Sequence, residues 1–300
     1  MNIIGHKYIF LSASAILVLA SFVLIAVLGL KLGIDFTGGS LLEIEFMGLR
    51  PEVSSIQKAL SDIKFENIQV QPSGGNGMIL RFRDVSENEH VLIITALKQT
   101  SEGEIIEKRF DSIGPTIGSE LKQRSILALL LAIAGIVLYI AWAFRQVSKP
   151  VSSWKYGVVA VVALVHDVTI PTGVFALLGR VWGIEVDTLF ITALLTILGF
   201  SVHDTIVVFD RIRENLRLDK GGGSFGAIVN RSMNETIARS VNTSLTVFIV
   251  VASIFIFGAS TTKWFSFALG LGVLFGTYSS IFVASPLLVV WHELQKTRGN

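Results

Sequence analysis

The sequence predicts a polytopic α-helical membrane protein that carries one small α+β domain outside the membrane. Hydrophobic residues make up 51% of the 300 positions and charged residues only 16%, whereas about a quarter of the residues in a soluble domain are charged. Six apolar runs are each long enough to cross a bilayer, which requires about 20 residues. Between the first two runs, the hydrophobic spacing alternates between the period of a strand and that of a helix.

The six transmembrane helices are predicted from the apolar runs. No small-residue cleavage site follows the first run, so we interpret it as a retained anchor and not as a signal peptide. The last run is longer than a bilayer requires, which leaves room for the helix to tilt. The predicted spans are residues 8–30, 125–144, 156–178, 188–210, 240–258 and 265–291.

The orientation of the spans is predicted from the basic residues, which concentrate on the cytoplasmic side of membrane proteins. The short segments on one side hold only Arg180 and Lys263. The other side, which includes both termini, is therefore predicted to be cytoplasmic. Its basic residues are Lys7, Arg145, Lys149, Lys155, Arg211, Arg213, Arg217, Lys220, Arg231, Arg239, Lys296 and Arg298.

The chain is predicted to consist of three parts. They are 1–30 with the cytoplasmic N-terminus and first span, 31–124 as an extracytoplasmic domain, and 125–300 as a five-helix membrane domain with a cytoplasmic loop at 211–239 and a cytoplasmic C-terminus. In the middle part, Ser86 and Glu89 have the spacing of a capping box at the start of a helix. The predicted elements are strands at 40–46, 66–70, 78–82 and 104–113, one helix at 51–63 and a second one after Ser86. The order βαββαβ predicts a ferredoxin-like sandwich.

The composition excludes several classes of function. The chain contains no cysteine, which rules out disulfides, thiolate metal sites and cysteine nucleophiles. The net charge is only +2, and the basic residues are scattered over membrane-flanking segments, so no nucleic-acid partner is expected. The single histidine of the outer domain, His90, is interpreted as structural. We therefore expect no enzyme activity, no cofactor and no metal.

Asp167 lies within the third predicted span, about 12 residues or roughly 18 Å from Lys155. That depth is near the middle of the hydrocarbon core, where an ionisable side chain is costly and is a functional hypothesis by default. Pro171 follows four residues later and removes the helical hydrogen bond to the Asp167 carbonyl. Asp167 is accordingly a candidate ion-coupling residue.

Asp204 and Arg239 form the second candidate pair. Asp204 lies seven residues before Arg211, roughly 10 Å from the predicted cytoplasmic edge, and Arg239 opens the next span from the same side. Opposite charges at one depth on consecutive helices stabilise each other in a low dielectric. If Arg239 approaches and leaves Asp204, the carboxylate gains and loses protons, which would couple an ion gradient to a conformational cycle.

Further polar residues accompany this pair. Asn242, Thr243 and Ser244 follow Arg239 and are predicted to extend a polar track toward the bilayer centre, with His203 as a possible member. The pattern Arg-Ser-x-Asn occurs at 231–234 and again at 239–242, which predicts a cytoplasmic helix that runs into the fifth span. Gly272 and Gly276 form a GxxxG motif that favours close helix packing.

Two other interpretations of the buried acids stay open. Asp204 and Arg239 are also compatible with a purely structural clasp between two helices. Asp167 and Asp204 in neighbouring spans are formally compatible with an intramembrane aspartyl protease, in which two carboxylates share a proton. Against the protease, the two acids are expected at different depths, and Asp204 lies in SVHD and not in a Gly-x-Gly-Asp signature.

The motifs of the chain resemble the SecF branch of the SecD/SecF family, which belongs to the RND superfamily of transporters. The resemblance covers nearly the whole chain. It is carried by GIDFTGG (33–39), IGPTIGSEL (113–121), VHDVTIPTG (165–173), GFSVHDTIVVFDRIREN (199–215) and NRSMNETIARSVNTSLT (230–246).

This resemblance implies a fold, partners and a location. The chain is expected to form half of an RND-type transporter in the cytoplasmic (inner) membrane, with SecD as the other half. Together with the SecYEG channel, it is expected to use a proton or sodium motive force to promote late, ATP-independent steps of preprotein export. The family's coupling carboxylate and arginine correspond to Asp204 and Arg239, and SecD supplies a further carboxylate. The alternative is an RND-type exporter of small molecules or lipids.

Overall fold

A computed structural model describes residues 1–65, 68–100, 103–144, 151–219 and 223–298. The chain forms two compact units, of which one comprises Met1–Lys31 and Ile126–Asn300 and the other Leu32–Ser125. Three of the predicted cytoplasmic basic residues, Arg145, Lys149 and Lys220, and the first two residues of the strand predicted at 66–70 lie outside the described residues.

The described residues contain six helical segments long and apolar enough to cross a membrane, as predicted. Four strands and three shorter helices lie between the first two of these segments. In chain order, a 3₁₀ turn Ile4–His6 leads into α1 Lys7–Leu28, α2 Ile34–Thr37, β1 Gly39–Phe46, α3 Val53–Asp62, β2 Gln69–Ser73, β3 Gly77–Phe82, α4 Glu87–Lys98, β4 Ile105–Ile113, α5 Pro115–Ala143, α6 Ser153–Trp182, α7 Thr188–Leu218, α8 Phe225–Phe257, α9 Ser260–Ser279, a π-helical turn Ser280–Ala284 and α10 Ser285–Arg298.

The segment 211–239, predicted as the cytoplasmic loop between the fourth and fifth spans, is largely helical. α7 continues to Leu218 and α8 begins at Phe225. The two extensions are joined by Glu235, whose Oε2 accepts hydrogen bonds from Arg211 Nε and Asn215 Nδ2, both at 2.7 Å. Asn215 also donates to Ser232 Oγ at 2.9 Å. The charged residues that end the apolar run therefore continue the helices instead of forming a loop.

The helices differ in how much of their apolar surface is covered. In the most apolar stretches of α6 and of the α9–α10 segment, 61% of the residues are buried, against 17% for α8, 11% for α1 and 6% for α5. α6, α7 and α9 are thus the centre of the helical unit, whereas α1, α5 and α8 lie at its edge. The large exposed side chains on the edge helices are those that lipid or another membrane protein covers.

Glycines allow the central helices to approach closely. A Cβ atom on Gly272 would lie 2.0 Å from Ile197 Cγ1, and one on Gly276 would lie 3.2 Å from Ser201 Cβ. The GxxxG motif of α9 therefore faces residues 197 and 201 of α7, which have the same spacing of four. This is the close packing that the motif favours.

The sixth span is not a continuous α-helix. The π-helical turn Ser280–Ala284 separates α9 from α10, and Ser285 Oγ donates to the carbonyl of Ser280, five residues earlier, at 3.3 Å. Pro286 has no N–H with which to bond the carbonyl four residues before it. Such π-helical turns are frequent at functional sites.

The start of α1 is held by a side chain from the distant helix α8. Asn230 Oδ1 accepts hydrogen bonds from the backbone N–H groups of Ile3 at 2.9 Å and Ile4 at 3.2 Å. These groups precede the first helical turn, and without Asn230 they would have no partner within the helix. Asn230 and Asn234 also donate through Nδ2 to the carbonyl of Met1, and Ile3 is buried.

The outer unit has the predicted ferredoxin-like order of elements. Its antiparallel sheet has the strand order β2-β3-β1-β4, and α3 and α4 contribute the buried residues Ile56, Leu60, Ile93 and Leu97 to the core with the sheet. His90, on α4, lies face to face with the Phe110 ring at 3.8 Å, and its Nε2 lies 3.1 Å from Glu107 Oε2. These contacts suit the structural role expected of this histidine.

The glycine pair of the GIDFTGG motif adopts backbone conformations that favour glycine. Gly38 has φ +72° and Gly39 has φ +114°, both in the region that side chains rarely adopt. A Cβ atom on Gly38 would lie 2.8 Å from Pro115 Cα, and one on Gly39 would lie 2.8 Å from the Phe82 carbonyl oxygen. The pair allows the chain to pass closely beside the start of α5 and the end of β3.

The capping box predicted at the start of α4 is confirmed. Glu89 Oε2 accepts from the Ser86 backbone N–H at 2.8 Å, and Glu89 Oε1 accepts from Arg83 Nη2 at 2.5 Å. The Arg83 bond, helped by the bonds from Ser86, lowers the pKa of Glu89 from 4.5 to about 2.

This pKa predicts how the stability of the outer unit depends on pH. A carboxylate with a lowered pKa stabilises the folded state above its unfolded pKa, and the contribution disappears as the pH falls from 4.5 towards about 2. We expect the hydrogen-exchange protection factors of α4 in the full chain, which are corrected for the pH dependence of intrinsic amide exchange, to fall over this range in the wild type. In Glu89→Gln, the protection factors of α4 should be lower at neutral pH and should change less with pH. Identical pH profiles for the two proteins would contradict the assignment.

Candidate functional site

The first predicted acid, Asp167, lies in the centre of the helical unit and is fully buried. Its Oδ2 accepts hydrogen bonds from Ser201 Oγ on α7 and from Ser279 Oγ on α9, the latter at 2.7 Å. Its Oδ1 lies 2.8 Å from Nδ1 of the neighbouring His166. The carboxyl group of Asp167 therefore joins three helices and has a hydrogen-bond partner on each oxygen.

His166 fills the space beside this carboxyl group. It is 2% exposed, and its ring lies 6.0 Å from that of Tyr278 and 6.1 Å from that of Phe275. Among the described residues, its Nε2 atom has no hydrogen-bond partner. Tyr278 in turn accepts a hydrogen bond from Ser14 Oγ on α1 at 3.2 Å.

The second predicted acid, Asp204, is buried with weaker partners. It is 3% exposed, and its Oδ2 lies 3.5 Å from Thr277 Oγ1 on α9, at the outer limit of a hydrogen bond. Thr277 Oγ1 lies 2.8 Å from the carbonyl of Val273 and also bonds to Ser244 Oγ on α8. Because each hydroxyl has a single proton, these closer acceptors compete with Asp204 for it.

Arg239 is not in contact with Asp204. Its side chain is exposed, and across the described ranges it forms no ion pair. It lines a cavity of about 340 Å³ between α7 and α8, together with Val207, which is one helical turn beyond Asp204. Three carboxylate residues share this cavity: Asp210, Glu214 and Glu235. We call this space the α7–α8 cavity.

The carboxylates of the α7–α8 cavity already have cationic partners. Arg213 Nη2 lies 2.7 Å from Asp210, and Arg211 Nη1 lies 2.6 Å from Glu214. Glu235 pairs with Arg211 and, at 3.0 Å, with Arg231. Arg239 is therefore a cation near acidic groups that do not bind it tightly.

The predicted polar track lies on the surface of the helical unit, except for Ser244, which is buried and bonds to Thr277 Oγ1. Asn242 and Thr243 are exposed, as are Arg239 and His203. Thr243 Oγ1 bonds to the Arg239 carbonyl at 2.9 Å. These residues do not line a path through the interior of this chain. They form an exposed polar face on α7 and α8, at a depth where a membrane protein normally faces lipid or another subunit.

The sequence did not identify the hydroxyl groups that contact the two acids. Ser201 lies three residues before Asp204, and Thr277 and Ser279 follow Gly276, the last residue of the GxxxG motif, by one and three residues. Serine and threonine are common in membrane helices, so only the spacing of Ser201 from Asp204 carried a signal. The two acids have separate partners, unlike the shared-proton pair of an aspartyl protease. Among the described residues, no group of three or more His, Cys, Asp or Glu side chains is arranged to hold a metal ion.

The six apolar helical segments of the described residues, with two buried acids among them, define a multi-pass membrane protein. The sequence pattern described as "Protein export membrane protein SecD/SecF, C-terminal" matches residues 93–294, and the "SecD/SecF GG Motif" matches residues 23–46. The chain belongs to the SecD/SecF family. This is a family of protein translocase subunits and not, as such, of enzymes.

Individual relatives support this assignment along the whole chain. A protein of Thermobaculum terrenum named "Protein translocase subunit SecF" is 43% identical, with 98% of this chain and 94% of the relative covered. A Helicobacter pylori protein of the same name is 36% identical, covering 92% and 83%. Family membership makes this chain an accessory subunit of the Sec protein translocase.

The fold is similar to that of solved SecDF structures. The crystal structure titled "SecDF, a translocon-associated membrane protein" from Thermus thermophilus matches with a TM-score of 0.84 and 30% identity. It covers 97% of this chain, which spans only 38% of that longer chain. A second structure, SecDF in the "Super-membrane-facing form", matches with a TM-score of 0.71.

Proposed function

We propose that the chain couples ion movement across the cytoplasmic membrane to preprotein export, with Asp204 as the carboxylate that binds and releases the coupling ion. SecD completes the site, and the complex acts on preproteins that emerge from SecYEG. Arg239 is the mobile counter-charge. The observation that carries this proposal is a buried Asp204 that forms no ion pair with Lys or Arg among the described residues, one helical turn from a cavity lined by Arg239, which forms none there either.

A buried carboxylate without a cation is unstable in its charged form, because burial removes the water that solvates it. The 3.5 Å contact with Thr277 compensates little of this cost. Asp204 therefore has three ways to be stabilised: it binds a proton, it meets Arg239, or it binds another cation. A residue that must change its partner when its charge changes is suited to convert ion binding into helix movement.

The α7–α8 cavity supports the movement of Arg239. The cavity borders Val207, so a guanidinium that leaves the cavity along α7 reaches the level of Asp204 within one turn. In the cavity, Arg239 lies beside Glu214 and Glu235, which keep their own arginine partners. Its position there is therefore weakly held, and its withdrawal breaks no ion pair between the described residues.

The exposed polar face supports a membrane partner. His203, Asn242 and Thr243 are exposed in this chain, and polar side chains at membrane depth normally face other helices. The longer SecDF chains, of which this chain spans about two fifths, have the additional sequence for such helices. We propose that SecD covers this face, that both termini are cytoplasmic, and that Asp167 supports the coupling site.

Substitution of Arg239 tests this function against a matched control. Arg231 occupies the corresponding position in the first Arg-Ser-x-Asn repeat and pairs with Glu235, which keeps Arg211 as a partner. We expect Arg239→Gln to lose most of the ion-gradient-dependent stimulation of preprotein export in vesicles that contain SecD and SecYEG, and Arg231→Gln to retain it. Equal stimulation with both variants would contradict the role of Arg239.

A further inference from the structure

The hydrogen bonds of Asp167 tie together the two helices that form the surroundings of Asp204. Ser201 lies three residues before Asp204 on α7, and Ser279 lies two residues after Thr277 on α9. Asp167 Oδ2 accepts from both serines. Asp167 Oδ2 thus holds α7 at a point close to Asp204 and α9 at a point close to Thr277, the residue whose hydroxyl contacts Asp204.

Two irregular segments lie next to Asp167. Ser279 is the last residue of α9, and the π-helical turn begins immediately after it. On α6, Pro171 leaves the carbonyl of Asp167 without its usual donor four residues later. Helices are easiest to bend where such hydrogen bonds are missing. The hydrogen bonds of Asp167 therefore lie between two sites where a helix can bend: Pro171 in α6 and the π-helical turn between α9 and α10.

The partners of Asp167 are also different from those expected at an ion-carrying site. Asp167 is 0% exposed, and each of its oxygens has a polar neighbour within 2.8 Å. The two serine hydroxyls donate protons to it, which does not favour binding of a metal cation at the same oxygen. Asp204 has a hydrogen bond of 3.5 Å from Thr277 and interacts with the hydroxyl of Ser244. In the described part of the chain, Asp167 therefore has the shorter hydrogen bonds of the two acids.

We propose that Asp167 is a positioning residue for ion coupling: it fixes α7 and α9 through Ser201 and Ser279, so that Thr277 stays beside Asp204, and it does not carry the coupling ion itself. This proposal rests on the proposed function of Asp204. It assigns the two buried aspartates different roles, and it makes Ser201 and Ser279 part of the coupling apparatus.

The experiment compares the same substitution at the two acids. Asparagine keeps an oxygen that accepts from both serines, so Asp167→Asn should retain at least about a third of the ion-dependent export stimulation, as expected when one hydrogen bond is weakened. Asp204→Asn should lose it. Asp167→Ala and the double variant Ser201→Ala/Ser279→Ala, which remove the tie, should both be impaired. Loss of stimulation in folded Asp167→Asn, equal to that in Asp204→Asn, would overturn the proposal.

A second measurement requires no export and separates this proposal from the proposed function. The carboxyl C=O infrared band that disappears in Asp204→Asn is followed against pH in the purified chain. Its midpoint should be displaced in Ser201→Ala/Ser279→Ala and in Asp167→Ala, which remove the tie, and should move less in Asp167→Asn, which keeps it. An unchanged midpoint would overturn the positioning role, whatever the export assay shows. If the band titrates but export does not depend on Asp204, the coupling function fails and the positioning role stands.

The other titratable or charged groups around the two acids serve as references for this titration. They are His166 on α6, His203 on α7, Arg239 on α8 and Tyr278 on α9. His203 is the residue next to Asp204 in the chain and is exposed. The titration is therefore repeated in His203→Gln, which keeps the serine tie. We expect Ser201→Ala/Ser279→Ala to displace the midpoint of the Asp204 band in the His203→Gln variant as well. If the midpoint is not displaced there, the effect belongs to His203 and the proposal is overturned.

Discussion

Asp204→Asn is expected to abolish ion-gradient-dependent stimulation of preprotein export while assembly with SecD is preserved. Asparagine has nearly the same size and keeps an acceptor for Thr277, but it cannot titrate. The buried position, 3% exposed, therefore loses its charge change and little of its packing. The measurement compares export into membrane vesicles that contain SecD and SecYEG, with and without an imposed ion gradient.

The control for this prediction is Asp219→Asn. Asp219 follows α7 directly and lies outside the α7–α8 cavity. Its side chain accepts a hydrogen bond from the Gly223 N–H at 3.3 Å, near the surface. We expect export with this variant to respond to the gradient as the wild type does. Unchanged secretion with Asp204→Asn, in a complex that has assembled, would show that Asp204 is not the coupling residue.

Gly272→Ala is expected to give the largest loss of stability among the single-methyl additions. The new Cβ would lie 2.0 Å from Ile197 Cγ1 and 2.3 Å from its Cδ1, so α9 and α7 would have to separate or Ile197 would have to leave its rotamer. Overpacking of this kind costs about 1–3 kcal/mol in free energy of unfolding. Thermal melting of the purified protein in detergent measures the effect.

Three further variants make this prediction specific. Gly199→Ala on α7 has no atom within 4 Å of the new Cβ and should melt at or above the wild-type temperature. Ile197→Ala removes the atoms that clash. The double variant Gly272→Ala/Ile197→Ala should therefore be more stable than the sum of the two single changes predicts. Additive effects would show that the two residues do not meet.

Hydrophobic spacing was sufficient to predict the element types but not where helices end. The six spans and the βαββαβ order follow from apolar runs and periodicity, and both are confirmed. The apolar run that predicts the fourth span ends where charged residues such as Arg211 and Glu214 begin. These are good helix formers, so α7 continues through them to Leu218. The π-helical turn was not predicted because it depends on the local bonds of Ser280 and Ser285.

The sequence was sufficient to predict how deep the site residues lie along their helices, but not towards which neighbour their side chains point. Counting the helical rise places Asp204 and Arg239 at similar levels, yet successive residues on a helix differ by about 100° in direction. Arg239 consequently faces the α7–α8 cavity and not Asp204. In the same way, the sequence marks Asp167 as a buried acid but cannot show that Ser279, more than 100 residues later, supplies one of its hydrogen bonds.

The bonds from Asn230 to the start of α1 have a consequence for how the protein is made. The groups that they join are 227 residues apart in the chain, and ribosomes add about 5–20 residues per second, so Asn230 follows Ile3 by roughly 10–50 s. During that interval the first helix has been synthesised, but its leading N–H groups lack their final partner. The first span therefore reaches its final position only after the fifth has begun to enter the membrane, and the bundle closes late in biogenesis.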